Sequence, residues 1–466
     1  MRILLLLFLL ILLAVSFTFA QSFDSTRARK FSKMYARQSP EWVRDGVIYE
    51  IYPRSFSPEG TFAGIEKKLP ELKQLGVTIL WLMPIHPVGE VKRKGTLGSP
   101  YSVQDYYGVN PEYGTLNDFK QLLHHAHLLG FHLIIDLVAN HTAWDSKLIK
   151  EHPEWFTKDT AGNIVSPNPD WTDVADLDYS HPELRRYMID MMKYWVRDVG
   201  IDGFRCDVAE LVPLSFWEEA RTALDSIKPV MMLSEGSDPA QHVKAFDVTY
   251  SWNIYDILSP MMTEKLTAYA LDKELNREAV TFPQGSLRMR FSSNHDKNAW
   301  DDPDVVKFGE DGAKLAAVIV NTIPGIPLIY NGQEIGNPKK LSLFEKVPIE
   351  WKDAGDFRKF YTRLFETRRW HPALREGKML RIPSNNDRRF YAFERIAGND
   401  TMLVVYNFSK VNAMITLDFS GHMLSIGKQI HLAEVFTGDT WDISVSPEKT
   451  IPVIVPAMGY RVYVVN

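Results

Sequence analysis

The chain has 466 residues and a single cysteine, Cys206. No internal disulfide can form, so the fold is stabilised by its core alone. Basic clusters are missing too: 53 Lys and Arg stand against 58 Asp and Glu, for a net charge of -5. Binding to a phosphate backbone rests on Lys and Arg neutralising it, so this balance argues against nucleic acid as partner. A neutral polymer or small molecule fits better. Repeats and low-complexity tracts are not evident beyond one apolar run at the amino terminus.

What remains is the make-up of an ordinary globule, 45% hydrophobic and 24% charged, able to bury a large core. Residues 1–20 read as a separate unit: Arg2, an apolar run over 3–15, then Thr18 and Ala20 placed three and one before a cut at Gln21. This is the pattern of a secretory signal peptide. Its alternative is an uncleaved anchor, near the lower length limit for a membrane span. Cleavage predicts a secreted or periplasmic protein without further membrane contact.

After a polar lead over 21–41, strand-like runs alternate with amphipathic ones. The strand-like runs are 47–52, 77–83, 131–138, 203–207, 230–235, 246–250, 287–292 and 326–330. Amphipathic stretches lie at 63–75, 116–129, 182–199, 312–322 and 356–369. Eight such units predict a closed (β/α)8 TIM barrel, which takes roughly 250 residues or more. Between the third run and the helix near Pro182, residues 139–179 are rich in Pro, Asp, Asn and Trp. That is far longer than a strand-to-helix loop requires, and predicts a small insert domain over the barrel mouth. A second long connection, 88–113, predicts another wall of the same opening. From 374 to 466 the helical period gives way to β-type runs at 390–395, 402–408, 413–419, 429–435 and 461–465, read as a C-terminal antiparallel β-sandwich domain; the barrel accounts for 21–373.

Four acids stand at or just past the ends of strand-like runs: Asp136, Asp207, Glu235 and Asp296. Catalytic groups of a parallel barrel collect at that end. In Gly203-Phe204-Arg205-Cys206-Asp207, alternation places Arg205 and Asp207 on one face and Cys206 on the other. Cys206 thus reads as a small buried filler towards the helix layer. A cation beside Asp207 is expected to hold it ionised, as a carboxylate nucleophile must be.

These segments resemble the α-amylase family of glycoside hydrolases (family 13), in its bacterial secreted form. The likeness runs from Gly46-Val47-Ile48-Tyr49-Glu50-Ile51-Tyr52-Pro53-Arg54-Ser55-Phe56 through Asp136 to His141, Gly203 to Asp207, Glu235 and Asn294-His295-Asp296 to Gly325 through Glu334. Ser99 to Tyr106 is similar to the segment that brings an aromatic ring under the bound sugar. The resemblance implies a retaining mechanism with Asp207 as nucleophile, Glu235 as general acid and then base, and Asp296 holding substrate hydroxyls. Tyr101 would stack on the sugar, His141 and His295 would bond its hydroxyls, and Arg205 would complete the substrate-binding set. Asp136 reads as an orienting partner of Arg205.

The implied substrate is a starch-like α-glucan or maltooligosaccharide, cleaved at α-1,4 bonds. No cofactor is implied for the chemistry. A structural calcium ion would draw on Asn140 and Asp176, but residue 211 is Leu where the family often supplies a histidine ligand. Ser102 stands where exo-acting relatives commonly carry Asp, which favours a cleft open at both ends and internal cleavage. The alternatives are an exo-acting α-glucosidase or a transglycosylase using the same covalent intermediate. A non-catalytic sugar-binding protein would have no reason to retain the whole acid set. The sequence carries no signal of oligomeric state.

Overall fold

Eight parallel strands close into a barrel in which the first of the eight along the chain pairs with the last. The structure is a computed structural model that describes residues 30–421, 429–444 and 447–466. The expected signal peptide, 1–20, lies outside the described residues. The barrel strands are β1 (Ile48–Ile51), β2 (Ile79–Leu82), β3 (His132–Leu137), β6 (Gly203–Cys206), β7 (Met231–Ser234), β8 (Val248–Tyr250), β9 (Leu287–Arg290) and β10 (Ile326–Tyr330). Each falls within one of the eight apolar runs.

Alternation along these strands builds two layers. Ile48, Ile79, Ile134, Met231, Leu233, Val248, Met289, Ile326 and Leu328 fill the interior. Their neighbours Tyr49, Leu80, Ile135, Phe204, Cys206 and Met232 pack outward beneath the helices. Buried Cys206 therefore fills the helix-facing layer. No helix among the described residues is long and apolar enough to cross a membrane.

The helices follow their apolar stripes with two departures. The stretch expected over 63–75 is broken into Phe62–Glu66 and Leu69–Leu75, with Pro70 in the first turn of the second helix. Proline has no N–H and pre-sets that turn, so it restarts a helix more readily than it continues one. After Pro182–Lys193 the chain widens into a π-helical turn, Tyr194–Val199, before Gly200 closes it with a positive φ of 104°.

The insert is a short hairpin-like pair, β4 (His141–Ala143) against β5 (Val174–Asp176), set directly over the end of β3. Trp155 and Phe156 are buried in the main core, so these two aromatics pack rather than face a ligand. The wall formed by the second long connection is tied down by Arg54. Its guanidinium donates to the carbonyls of Gly98 and Leu343, and pairs with Glu112 at 3.2 Å.

The carboxyl-terminal domain is a six-stranded antiparallel sheet, β11-β12-β13-β18-β15-β16, and a two-stranded one, β14-β17. Its strands are β11 (Lys378–Ile382), β12 (Phe390–Ala397), β13 (Asp400–Asn407), β14 (Ala413–Asp418), β15 (Gln429–Glu434), β16 (Thr440–Ser444), β17 (Thr450–Val455) and β18 (Gly459–Val465). Phe390, Leu403, Val405, Ile415, Leu417, Ile451 and Val453 form one core between the two sheets. Arg395 fastens this domain to the barrel by donating to the Thr322 carbonyl at 2.7 Å.

Candidate active site

The carboxyl ends of β3, β6 and β7 carry a charged cluster gathered on one guanidinium. Register pairs Asp136 with Arg205 and Cys206 with Ser234. One further bond continues each ladder, from Asp207 N–H to the Leu137 carbonyl at 2.9 Å and from Glu235 N–H to the Cys206 carbonyl at 3.0 Å. At the other end of β6, Gly203 starts the strand opposite Met231 with a φ of 147°, where a Cβ would stand 2.0 Å from the Met231 carbonyl oxygen. Only a residue without a side chain fits that backbone at the start of the strand.

Arg205 Nη1 donates to Asp136 Oδ1 at 2.9 Å, to Asp136 Oδ2 at 3.1 Å and to Asp207 Oδ1 at 2.9 Å. Its Nε donates to the Tyr250 hydroxyl at 3.2 Å. Nη2 lies 2.8 Å from Glu235 Oε2 as an ion pair, without the alignment of a hydrogen bond. That same Oε2 accepts from the Val208 N–H at 2.8 Å. One planar group thus spans Asp207 and Glu235, which the chain separates by 28 positions. Val208 itself is left-handed, with φ 36° and ψ 46°. For a β-branched residue that is a strained conformation, held by its surroundings.

Exposure sorts the cluster. Arg205 and Asp136 are sealed at 0%, whereas the side chains of Asp207, Glu235 and Asp296 are exposed by 9%, 14% and 34%. A ligand entering from the mouth can touch the last three but not the first two. Arg205, expected among the substrate-binding residues, is instead a buried clamp beneath them. The expectation that it alone keeps Asp207 ionised also needs correcting. Burial pushes the Asp207 carboxyl well above its ordinary value, and Glu235, Asp136 and Asp296 add to the rise; Arg205 opposes it. One positive charge is shared among three carboxylates, so it cannot fully compensate any of them.

The two histidines sit on opposite walls in opposite states. Burial pushes His141 down to about 4, against the raising effect of Asp173, so it is neutral. Its Nδ1 accepts from the Asn140 amide at 3.3 Å, which leaves the hydrogen on Nε2. His295 is raised to about 9: burial alone lowers it, but Asp296 and Glu50 more than offset that. Tyr101 stacks on the His295 ring with centroids 5.3 Å apart, and its hydroxyl reaches both His295 Nε2 at 2.7 Å and Asp136 Oδ2 at 3.1 Å. Trp171 lies beside His141, ring centroids 5.6 Å apart. Trp144 sits under the Lys92 ammonium at 3.4 Å.

The structure therefore brings Tyr101, Asp136, Arg205, Asp207, Glu235, His295 and Asp296 into one network, with His141 on the insert beside it. Glu50 and Tyr250, not singled out from the sequence, belong to it as well. A glutamate inside the otherwise apolar run 47–52 was the available signal.

Asn140 and Asp176 supply two side chains where a calcium ion takes six to eight oxygens. The Asn140 amide nitrogen is engaged with His141 and its oxygen stays open, but Leu211 is an exposed aliphatic side chain, and Glu210 is turned away to accept from the Ser237 and Asp238 amides. Among the described residues no group of three or more His, Cys, Asp or Glu side chains converges as a metal site.

Comparison with known proteins follows the same geometry. The family model for the α-amylase catalytic domain matches residues 17–172 and 168–377. The chain is 29% identical over 392 residues to the α-amylase MalA of Haloarcula japonica, covering 79% of this chain and 56% of that protein's length. It is 25% identical to a cyclomaltodextrinase of Geobacillus thermopakistaniensis, over 92% of this chain and 78% of that one. Its fold superposes on the crystal structure of a noncanonic maltogenic α-amylase, AmyB of Thermotoga neapolitana, with a TM-score of 0.84. Identity there is 36%, over 91% of this chain and 99% of that one.

Proposed function

The chain belongs to the α-amylase family, and on that premise we propose that it hydrolyses internal α-1,4-glucosidic bonds of starch-like glucans and maltooligosaccharides with retention at the anomeric carbon. It is a glycoside hydrolase acting on α-glucans, and its chemistry needs no cofactor. The observation that carries the finer reading is the single guanidinium of Arg205 touching both Asp207 and Glu235. Retaining hydrolysis needs its two carboxyl groups about 5 to 5.5 Å apart, close enough for direct attack without an intervening water.

In this reading Asp207 attacks the anomeric carbon and forms a glycosyl ester. Glu235 donates its proton to the departing oxygen. Because Oε2 is held by Arg205 and the Val208 amide, Oε1 is the oxygen that does so. Glu235 then takes a proton from the water that resolves the ester, and Asp296, the most exposed of the three, grips hydroxyls of the cleaved sugar. The stacked pair of Tyr101 and His295 supplies the platform. His141, neutral with its hydrogen on Nε2, offers a donor from the insert.

Internal attack is supported by Ser102. It is buried, and its hydroxyl donates to the Asp173 carbonyl at 3.0 Å, so nothing at that position can grip a chain end. Release of maltose from chain ends is the second reading, favoured by the likeness to the maltogenic enzyme. Timed chromatography of products from starch, maltotriose and p-nitrophenyl glucoside tests both. Early oligosaccharides of mixed size support internal attack; maltose or glucose alone from the first time point overturns it. Residues 1–20 support export of the enzyme.

A further inference from the structure

Glu50 is an acid on the first barrel strand, fully buried and facing the interior one layer above Ile48. It is hydrogen-bonded through Oε1 to His295 Nδ1, and its other oxygen has no partner. On the far side of that imidazole, Nε2 meets the Tyr101 hydroxyl, which also meets Asp136 Oδ2. A phenol has one hydrogen. Asp136 is held by two bonds from Arg205 Nη1 and only accepts, so the phenol hydrogen goes to Asp136. Nε2 must then donate to the phenol oxygen. Burial pushes the Glu50 carboxyl up while His295 and Arg205 oppose the rise, and to an ionised Glu50 it is Nδ1 that donates. Both ring nitrogens carry hydrogen.

We propose that Glu50 is a positioning residue that keeps His295 an imidazolium, placing a second buried cation beside Arg205 and fixing Tyr101 as the donor to Asp136. That this serves catalysis rests on the glycosidase reading above; the charge state itself does not. An imidazolium has no lone pair to offer, so the sense of every bond from Glu50 through His295 and Tyr101 to Asp136 is set.

The groups facing His295 are Glu50 from β1, Tyr101 from the long connection, Asp136 from β3, Arg205 from β6 and its own neighbour Asp296, whose Oδ2 lies 3.4 Å from Nε2. Trp81 of β2 packs its ring edge-on at 5.9 Å. Tyr250 and Tyr330 flank Glu50. Three carboxylates in this set favour the cation and one guanidinium opposes it. His141 shows what burial does without such company, since it is driven to about 4.

The test is nitrogen NMR of the intact protein labelled with 15N-histidine, with the His295 signals identified by their loss in His295→Gln. At neutral pH both ring nitrogens of His295 are expected to be protonated, with titration near 9. Glu50→Gln keeps an acceptor for Nδ1 but removes the charge. The titration is expected to fall by about one pH unit or more, and kcat/KM on maltooligosaccharides to lose several-fold more at mildly alkaline than at mildly acidic pH. A His295 ring with a single hydrogen at neutral pH in the parent overturns the proposal, whether or not the variant folds. So does a titration, or a pH profile, that Glu50→Gln leaves unmoved. An imidazolium in a protein that cleaves no glucan would uphold the charge assignment and sink the catalytic reading instead.

Discussion

Two buried arginines treat their carboxylates in opposite ways. Arg290, on the helix-facing side of β9, forms a fork with Glu278 of the helix Tyr269–Thr281, with Nη1 to Oε1 at 2.8 Å and Nη2 to Oε2 at 2.6 Å. Its Nε donates to the Pro324 carbonyl, so all three nitrogens are used. Arg205 at the barrel mouth divides one nitrogen among two acids and leaves another without an aligned bond. Burial raises Glu278, yet Arg290 and Arg288 bring it below its ordinary value; Asp207 stays well above. A complete set of bonds makes a structural joint, and an incomplete one leaves groups ready to act on a ligand.

The largest effect that can break this contrast is on turnover. Asp207→Asn is expected to lower kcat on maltooligosaccharides by about 10,000-fold or more, as removal of a nucleophile does, without lowering the melting temperature. Substantial activity in that variant would remove the mouth cluster from the chemistry. Glu278→Ala is the converse. It leaves Arg290 buried and uncompensated, a loss of about 3–5 kcal/mol of stability, read by urea unfolding, while kcat of the folded fraction holds within about two-fold.

The pH dependence sharpens the comparison, because the two acids have opposite signs. Glu278 is depressed in the folded state, so its contribution is present above the unfolded carboxylate value and is lost as pH falls through the folded one. Asp207 is raised: the folded protein holds the extra proton between the unfolded and folded values, and stability falls as pH climbs through that window. Asp207→Asn should therefore be more stable than the parent at neutral pH, and the gain should vanish in acid. Melting curves across pH read both slopes. The smallest effect is Val208→Gly, which relieves the left-handed backbone beside Asp207. We expect about 1 kcal/mol of added stability or less, with a fall in kcat because the amide that holds Glu235 becomes freer to move.

The outward joint was not legible in the sequence, whereas the mouth largely was. Asp136, Asp207, Glu235 and Asp296 stand at the ends of apolar runs, so strand period and barrel geometry bring them together. Arg290 and Glu278 carry no such mark, because a charged pair buried under a helix looks in sequence like any two solvent-facing charges until packing is known. Glu50 fell between the two cases: it lies inside an apolar run, and the run was read for its aliphatics. In the last domain three strands escaped notice for distinct reasons. Lys378–Ile382 has alternate residues exposed, Thr440–Ser444 is an edge strand with little buried, and Thr450–Val455 contains Pro452, which argues against a ladder position. Pro452 is accommodated opposite Thr416 in a sheet of only two strands.

The absent side chain at Gly203 reaches further than its own strand. It fixes where β6 begins against β7, and the same strand then delivers Asp207 beside Glu235, so for the proposed reaction the meeting of the attacking and proton-giving groups builds on that register. A bulkier residue at 203 would displace the strand that carries the nucleophile, and so disturb the reacting pair without touching either acid.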